Sequence, residues 1–315
     1  MVAIKRVLIL GAGALGAMYA RPFATTNGVE AAFIARGERA ERLRAHGVFV
    51  NGTPVKLRVI EDPAGTEEGG RRDESTLVLV ALKHHQLDEG IEVVRPFVGA
   101  NTLLLSVMNG IGSEGRLADA FGRERVVHAV AVGMDAVRED NRVRYSAMGK
   151  IRFGRGFPEL ADEGVEAVKE LFERCGIACV VEEDIRRSIW NKFMLNVGVN
   201  QLSALLGAPY RVFQGQEAAK RLLRATMREV VAIAEAEGVN LKETDIEPWF
   251  DILATLSPEG KTSMLQDMEA GRKTEVEMFA GQIVELAQKH RLPAPINSCL
   301  LDMIKVRESL FHENS

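Results

Sequence analysis

The sequence is poor in cysteine and has no uninterrupted apolar run long enough to span a bilayer. Its three cysteines, Cys175, Cys179 and Cys299, are an odd number without the spacing of a zinc or disulfide framework. They predict buried thiols in a reducing compartment. The chain also starts directly on a strand pattern, without the basic and apolar regions of a secretory leader. We therefore expect a cytoplasmic protein that has no membrane partner.

An excess of positive charge is also missing. The 315 residues have a formal net charge of −4, with Lys and Arg spread along the chain, so nucleic acid is not an expected partner. With 46% apolar and 27% charged residues, the composition is that of a globular protein and excludes a disordered chain or a fibre. The length favours two domains, although single α/β barrels of this size exist.

Residues 1–182 alternate strand patterns with helical patterns. Apolar runs at 6–10, 31–35, 76–82 and 102–107 suit strands buried on both faces, and each is followed by a turn and a helical stretch. This alternation predicts a Rossmann-type, doubly wound α/β sheet. Residues 48–60 alternate around Asn51-Gly52, which predicts an antiparallel hairpin. Further elements are expected as strands at 125–132, 150–153 and 178–181 and helices at 14–26, 38–45 and 159–175.

Beyond residue 184 helical periodicity replaces the strand patterns. Because no Pro- or Gly-rich linker marks a boundary, this change alone separates an α/β domain, 1–182, from an all-helical domain, 183–315. The helices are predicted at 185–206, 217–237, 247–256, 262–270, 274–290 and 297–310.

A G-x-G-x-x-G motif lies between the first strand and the first helix. In this setting Gly11 permits a tight turn, Gly13 lets the backbone approach a pyrophosphate, and Gly16 allows close packing of helix and strand. The alternative is a glycine-rich turn without a ligand, but the surrounding βαβ pattern favours a dinucleotide. The candidate cofactor-binding turn comprises Gly11, Ala12, Gly13, Ala14, Leu15 and Gly16.

Arg36 ends the second strand, where an acidic residue would bind the ribose 2′-hydroxyl of NAD. A guanidinium can hold a 2′-phosphate in bidentate fashion, so NADPH is favoured over NADH unless Arg36 is a solvated surface residue. Lys83 and Asn109 each end a later strand, at the edge where open α/β sheets bind ligands. We interpret His84 and His85 as loop residues and expect no metal site.

The predicted helix around residues 189–200 is apolar on most sides yet contains Lys192, Asn196 and Asn200. A spacing of four residues places these polar groups along one face. In a structural role, the amides would bond the backbone and Lys192 would pair with a carboxylate. In a functional role, the stripe would face a cleft that binds substrate, where a lysine can protonate an oxygen.

Two later segments could converge on the same cleft. Ser263 and Asp267 are four residues apart on a predicted helix, and Glu275 follows a break near Gly271. Taken alone, these residues are ordinary for helices, and Ser or Thr before a helix is more often a cap than a ligand.

Taken together, these segments resemble the ketopantoate reductase family over nearly the whole chain. The resemblance implies a Rossmann domain, a helical domain like that of 6-phosphogluconate dehydrogenase, and reduction of 2-dehydropantoate (ketopantoate) to pantoate with NADPH, a step of pantothenate and coenzyme A synthesis. It also implies that Lys192 is the general acid, that Glu275 holds the substrate hydroxyl or orients Lys192, and that substrate or cofactor contacts the other matched residues. The matching pieces are residues 11–16, Arg36, Lys83 in LKHHQ, Asn109 in MNG, WNKFMLNVGVNQLSAL and SMLQDMEAGRKTEVE. Of the matched residues, Asn109, Asn196, Asn200 and Ser263 would bind substrate, and Arg36, Lys83 and Asn109 would lie at the cofactor.

The chain departs from the family pattern at three positions near the implied ligands. Met108 replaces the glutamine that commonly precedes Asn-Gly, Gly260 replaces an asparagine three residues before the serine, and Tyr210 replaces another asparagine. One alternative is therefore an NADPH-dependent reductase of another 2-oxo acid or an imine.

A second alternative, of another class, is an NADPH-sensing module without turnover. A sensor has no need of a buried proton donor, so the polar stripe argues against it. Packing within the chain explains the apolar stripes of the second half, and a homodimer contact is left open.

Overall fold

Buried strands alternate with helices in the first part of the chain, and helices alone follow. The structure, a computed structural model, describes residues 3–62, 71 and 74–311. The chain divides into two compact units, Met1–Ser188 and Ile189–Ser315. The first unit is α/β and the second is helical, which confirms the predicted fold class.

One parallel sheet organises the first unit. The elements of this unit are β1 (Arg6–Leu10), α1 (Ala14–Thr25), β2 (Glu30–Ile34), α2 (Gly37–His46), β3 (Val48–Val50), β4 (Thr53–Val55), β5 (Arg58–Ile60), β6 (Thr76–Val80), α3 (Leu87–Val94), β7 (Thr102–Ser106), α4 (Ser113–Phe121), β8 (Val126–Val132), β9 (Val137–Glu139), β10 (Arg142–Arg144), β11 (Lys150–Gly154), α5 (Asp162–Arg174) and β12 (Cys179–Val181). Eight of the strands form the sheet in the order β12-β11-β8-β7-β6-β1-β2-β5, parallel throughout except where β11 runs antiparallel to β8. The strand order reverses between β1 and β6, and ligands of such sheets bind outside the carboxyl ends at that point.

The central strands are apolar on both faces because helices cover both. Successive side chains of β1 point to opposite sides of the sheet. Ile9 joins a buried cluster with Phe23 of α1 and Phe172 of α5, whereas Leu10 joins another with Leu87 of α3. The continuous apolar runs in the sequence therefore reflect burial on two sides.

The predicted hairpin at 48–60 is only partly correct. Asn51 and Gly52 both have positive φ, as a tight turn of this kind requires, and join antiparallel β3 and β4. Residues 58–60 do not belong to the hairpin, because β5 pairs in parallel with β2 at the edge of the large sheet. The hairpin instead extends into a second sheet of order β4-β3-β10-β9.

The described residues of the second unit form helices joined by loops, and no strand occurs among them. Helices α6 and α8 approach closely at Gly198, where an added Cβ would overlap Leu223 Cδ1. None of the helices that the structure describes has both the length and the apolar character needed to cross a membrane. The elements are α6 (Ile185–Leu206), which begins in the first unit, α7 (Tyr210–Gly215), α8 (Glu217–Ala236), α9 (Glu247–Thr255), α10 (Ser263–Glu269), a π-helical segment (Glu277–Gly281), α11 (Gln282–His290) and α12 (Pro295–Ser309).

The helix predicted at 274–290 begins later than expected, and its first turn is π-helical. The N–H of Gly281 donates to the carbonyl of Val276, five residues back, at 3.0 Å. Before this turn, the N–H of Thr274 donates to the Glu308 carboxylate at 2.6 Å, and the N–H of Val276 donates to the Thr274 hydroxyl at 3.3 Å. Side chains therefore bind backbone groups of this segment and delay the regular helix.

The prediction of three buried cysteines is wrong for two of them. Cys175 is buried, Cys179 is half-buried and Cys299 is exposed on α12, and all three are free thiols. Low cysteine content does not determine which face of a helix a cysteine occupies.

Candidate active site

The glycine-rich turn follows β1 at the point where the strand order reverses. Gly11 has a φ of +104°, and an added Cβ there would overlap the carbonyl oxygen of Ala81. A Cβ on Gly16 would overlap the carbonyl oxygen of Gly11. On Gly13, by contrast, a Cβ would meet only the Ala81 carbonyl oxygen, at 3.8 Å. The fold therefore requires Gly11 and Gly16, whereas Gly13 leaves open space in front of the turn.

The same turn fits a pyrophosphate. Ala14 and Leu15 begin α1, and no side-chain group of the described residues caps the N-terminus of this helix. Its first N–H groups are thus available to an anion, and the helix dipole favours negative charge there. Open space at Gly13 lets a ligand approach these groups closely.

Several guanidinium groups lie around the turn and the end of β2. Arg36 is exposed, and it lines one cavity with Gly11, Ala12 and the half-buried Arg39. Burial and the charge of Arg42 lower the pKa of Arg39, although Glu89 on the same cavity opposes this shift. The cationic groups repel one another, so a bound anion would relieve the repulsion.

Arg138 adds to this basic cluster from β9. Its Nη1 donates to the carbonyl oxygen of Ala12 at 2.7 Å. Partial burial lowers the pKa of Arg138, and the charges of Arg39 and Arg42 lower it further. No local sequence pattern predicts this contact, because β9 is distant from the turn along the chain.

The acidic side chain of Glu61 lies close to Arg36. The Glu61 carboxylate accepts the N–H of Gly37 at 3.3 Å and pairs with Arg44, which holds the pKa of Glu61 below its usual value. Arg36 Nε donates to the backbone oxygen of Glu61 at 3.5 Å. The acid therefore caps the start of α2 and is itself neutralised by a cation.

Lys83 and Asn109 lie in the loops after β6 and β7, and both are half-buried. The N–H of Lys83 donates to Gln86 Oε1 at 3.2 Å. In the second loop, the N–H of Met108 donates to Ser106 Oγ at 3.3 Å. Both predicted residues therefore lie at the carboxyl edge of the sheet, as expected.

A buried carboxyl group beside the Asn109 loop was missed. Burial raises the pKa of Glu114 to about 7. The hydroxyl of Ser113 lies 3.0 Å from Glu114 Oε2 and 2.8 Å from Ser106 Oγ. Because Glu114 occupies the first turn of a helix, its sequence position indicates only a favourable helix dipole and not its burial.

In the second unit, Lys192 and Asn196 are half-buried on α6, and Asn200 is buried. Burial lowers the pKa of Lys192 to about 8, and the carboxylate of Glu275 opposes this shift. Within the described residues, neither Asn196 nor Asn200 makes a side-chain hydrogen bond. The alternative in which these amides bond the neighbouring backbone is therefore not observed, whereas Lys192 does interact with a carboxylate.

Three polar side chains at the start of α10 or within it have different surroundings. Thr262 caps the helix by accepting the N–H of Leu265 at 3.2 Å. Asp267 is buried and bonded to Arg272 Nε at 2.8 Å, so its place is structural. Ser263 is exposed at the first position of the helix, which leaves its hydroxyl accessible to a ligand.

Two of the three departures from the family pattern contact each other. The N–H of Tyr210 donates to the carbonyl of Gly260 at 3.0 Å. A Cβ added to Gly260 would lie 2.9 Å from Tyr210 Cδ2. The Tyr210 ring therefore occupies the space that a side chain at position 260 would need.

The chain is similar to known proteins over nearly its whole length. The family model described as Ketopantoate reductase PanE/ApbA matches residues 7–156, and the model of its C-terminal part matches residues 184–308. The 2-dehydropantoate 2-reductase of Pyrococcus horikoshii is 28% identical over 307 residues, which are 97% of this chain and 98% of the relative.

Solved structures of other enzymes have a similar fold. That of 2-dehydropantoate 2-reductase from Geobacter metallireducens is 26% identical, covers 95% of this chain and 99% of its own, and has a TM-score of 0.83. The ternary structure of D-mandelate dehydrogenase with NADH and anilino(oxo)acetate has a TM-score of 0.85 at 20% identity, and covers 98% of this chain and 99% of its own. The fold thus occurs in enzymes with different substrates.

Proposed function

The chain belongs to the ketopantoate reductase family of oxidoreductases, and we propose that it reduces 2-dehydropantoate (ketopantoate) to pantoate with NADPH, a step of pantothenate and coenzyme A synthesis. A half-buried lysine, Lys192, interacts with Glu275 beside the amides of Asn196 and Asn200, which make no hydrogen bond within the described residues. This combination supplies a proton donor and polar ligands for a 2-oxo acid.

NADPH, when bound, supplies the hydride for C2 of the substrate. Lys192 protonates the oxygen that becomes negative at C2, and its pKa of about 8 lets it both hold and release a proton near neutral pH. Glu275 keeps the ammonium oriented or holds the substrate hydroxyl. Asn196, Asn200, Ser263 and Asn109 bind and orient the substrate.

The pH dependence of kcat should report the Lys192 proton. We expect kcat at saturating substrate to fall as the pH rises through about 8, because the neutral amine cannot donate. The folded protein binds fewer protons at Lys192 than the unfolded chain between about 8 and the ordinary lysine pKa, so this group makes the protein more stable as the pH rises there.

Loss of kcat above pH 8 would therefore not come from unfolding linked to Lys192. Steady-state kcat across this range, with circular dichroism at each pH, tests the prediction. A kcat that stays constant in the folded protein up to a pH of about 10 would contradict proton donation by Lys192.

The preference for NADPH is supported by the basic surroundings of Arg36. Arg39, Arg42 and Arg138 interact electrostatically with one another near the turn, and the carboxylate of Glu61 is neutralised by Arg44. A 2′-phosphate placed there meets guanidinium groups, whereas a 2′-hydroxyl gains little from them.

Arg36→Ala should reduce the preference for NADPH. Loss of one charge-assisted contact to a phosphate costs about 1.5–3 kcal/mol, which is roughly a ten- to hundredfold fall in kcat/KM for NADPH with little change for NADH. The ratio of the two kcat/KM values is the measurement. Arg58→Ala is the matched control, because Arg58 is an exposed strand arginine already paired with Glu30. An unchanged ratio in Arg36→Ala would show that Arg36 does not bind the phosphate.

The second candidate function is the reduction of another 2-oxo acid, and the contact between Tyr210 and Gly260 favours it. The Tyr210 ring occupies the space of the side chain that the family commonly has at position 260, an asparagine three residues before Ser263. This replacement exchanges a hydrogen-bonding amide for an apolar surface, which would suit a 2-oxo acid with a less polar side chain.

NADPH oxidation with ketopantoate, with a panel of other 2-oxo acids and with an imine tests the proposal, and NADH serves as the cofactor control. A kcat/KM for ketopantoate well above the rest of the panel is the expected result. Higher activity on another 2-oxo acid would keep the chemistry and replace the substrate. No turnover of any carbonyl or imine, despite NADPH binding, would contradict the reductase assignment.

A further inference from the structure

Gln201 is a fully buried amide on α6 that none of the roles above uses. Its Nε2 donates to the carbonyl of Val197, one helical turn back, at 2.6 Å and to Asn297 Oδ1 at 3.3 Å. Its Oε1 accepts the N–H of Ala280 at 3.0 Å. Both ends of the amide are engaged, so the side chain is fixed in one orientation.

The N–H of Ala280 needs this partner because of the π-helical turn. In an α-helix it would donate to the carbonyl of Val276, four residues back. That carbonyl instead accepts the N–H of Gly281, five residues further along the chain, at 3.0 Å. A buried N–H without an acceptor is costly, and Gln201 supplies the acceptor.

The same turn is attached to Glu275. The carbonyl of Glu275 accepts the N–H of Met278 at 3.0 Å and the N–H of Phe279 at 3.1 Å. The ring of Phe279 packs on Phe193, the residue after Lys192, with 6.1 Å between ring centroids. The segment that contains Glu275 is thus joined to the lysine helix by an aromatic contact and by the Gln201 amide.

Further hydrogen bonds, made by Asn297 and Glu229, fix the side chain of Gln201 in turn. Asn297 is fully buried, and its Nδ2 donates to Glu229 Oε2 at 2.7 Å. Glu229 also accepts the backbone N–H groups of Ile296 at 2.8 Å and Asn297 at 2.9 Å. The start of α12 and helix α8 therefore fix the group that orients the Gln201 amide.

We propose that Gln201 is a positioning residue that holds the Glu275 segment in register with Lys192 by bonding α6 to the π-helical turn. Its importance for catalysis rests on the proposed function of Lys192 and Glu275. Without the Gln201 acceptor, the Ala280 N–H loses its partner and the turn moves or becomes regular α-helix. The distance between Glu275 and Lys192 then increases, and the electrostatic support of the ammonium weakens.

Gln201→Leu tests the proposal, because leucine has a similar volume but cannot accept a hydrogen bond from the Ala280 N–H. The protonation of Lys192 is measured without substrate or cofactor, by acetic anhydride labelling across pH with mass spectrometry of the peptide. We expect the pKa of Lys192 to fall below its wild-type value and kcat to fall roughly ten- to hundredfold, with an unchanged Kd for NADPH. An unchanged or higher Lys192 pKa in the folded variant would overturn the proposal.

Ser203→Ala is the matched control. Ser203 is also fully buried on α6, and its hydroxyl donates to the Ala208 carbonyl at 2.6 Å, away from the Glu275 segment. It should lower the melting temperature without changing the Lys192 pKa, which separates positioning from a general loss of stability.

Gln201→Glu keeps the proposal testable if the leucine variant does not fold. Burial keeps the new carboxyl protonated at a pH of about 6, and in that form it can accept from Ala280 and donate to Val197. Wild-type kcat at that pH is expected, because both hydrogen bonds are kept. A kcat already a hundredfold low at pH 6 would contradict the proposal. If the wild-type protein turns over no substrate, the proposed function fails, while the labelling result still decides the role of Gln201.

Discussion

Replacing Lys192 by alanine should lower kcat by about a hundred- to ten-thousandfold while NADPH binding is retained. The reason is that the only change at the reacting oxygen is the loss of a proton donor whose pKa, about 8, suits proton transfer near neutral pH. The Kd for NADPH, measured by fluorescence titration, should stay near the wild-type value, because the glycine-rich turn and Arg36 belong to the first unit of the chain. The measurement is steady-state kcat at saturating NADPH and ketopantoate.

Two variants separate proton donation from simple positive charge. Lys192→Arg keeps the charge, but a guanidinium does not release its proton, so kcat should remain low. Lys261→Ala removes an exposed lysine that pairs with Glu269 in the same unit and should leave kcat unchanged.

A near-normal kcat in Lys192→Ala would remove this residue from the mechanism. The structural alternative would then hold, in which Lys192 serves as the partner of Glu275. That alternative predicts a different loss, because the half-buried carboxylate without its cation would lower the free energy of unfolding.

The sheet could be predicted because its signals are local. Each central strand is a continuous apolar run, since helices cover both faces. In the second sheet, Asn51-Gly52 marks the turn between β3 and β4 by composition alone. The strands β9 and β10 could not be predicted, because three residues are too few to show a period and the sheet that they form with β3 joins segments distant in the chain. For the same reason Arg138 was missed, although it contacts Ala12.

Only part of the candidate site could be predicted from the sequence. Lys192, Asn196 and Asn200 were found because a spacing of four residues on an apolar helix is visible in the sequence. The role of Glu275 came from family resemblance. The π-helical turn after it has no sequence period of its own, because it arises where Thr274 and Gln201 compete for backbone groups. The sequence therefore does not distinguish Gln201 from other polar residues of a helix.

Substitutions in the glycine-rich turn should give the second large effect. Alanine at Gly16 should reduce both stability and NADPH binding, whereas alanine at Gly13 should reduce binding alone. Gly16→Ala places a Cβ against the backbone oxygen of Gly11, which cannot move without distorting the turn. We expect a loss of about 3 kcal/mol in the free energy of unfolding, together with loss of NADPH binding. Gly13→Ala has room within the protein, so its unfolding free energy should stay close to the wild-type value.

Binding of NADPH to Gly13→Ala should nevertheless weaken by tenfold or more, about 1.4 kcal/mol, because the new methyl group occupies the approach to the helix N-terminus. Urea denaturation and calorimetric titration with NADPH measure the two quantities separately.

Gly115→Ala is the control, because Gly115 is an exposed glycine within α4 with open space around it, and alanine there should stabilise the helix slightly. Wild-type affinity in Gly13→Ala would contradict the pyrophosphate assignment, and wild-type stability in Gly16→Ala would contradict the packing role. Because one variant separates ligand binding from folding and the other does not, the pair distinguishes a cofactor-binding turn from a turn that glycine merely allows to form.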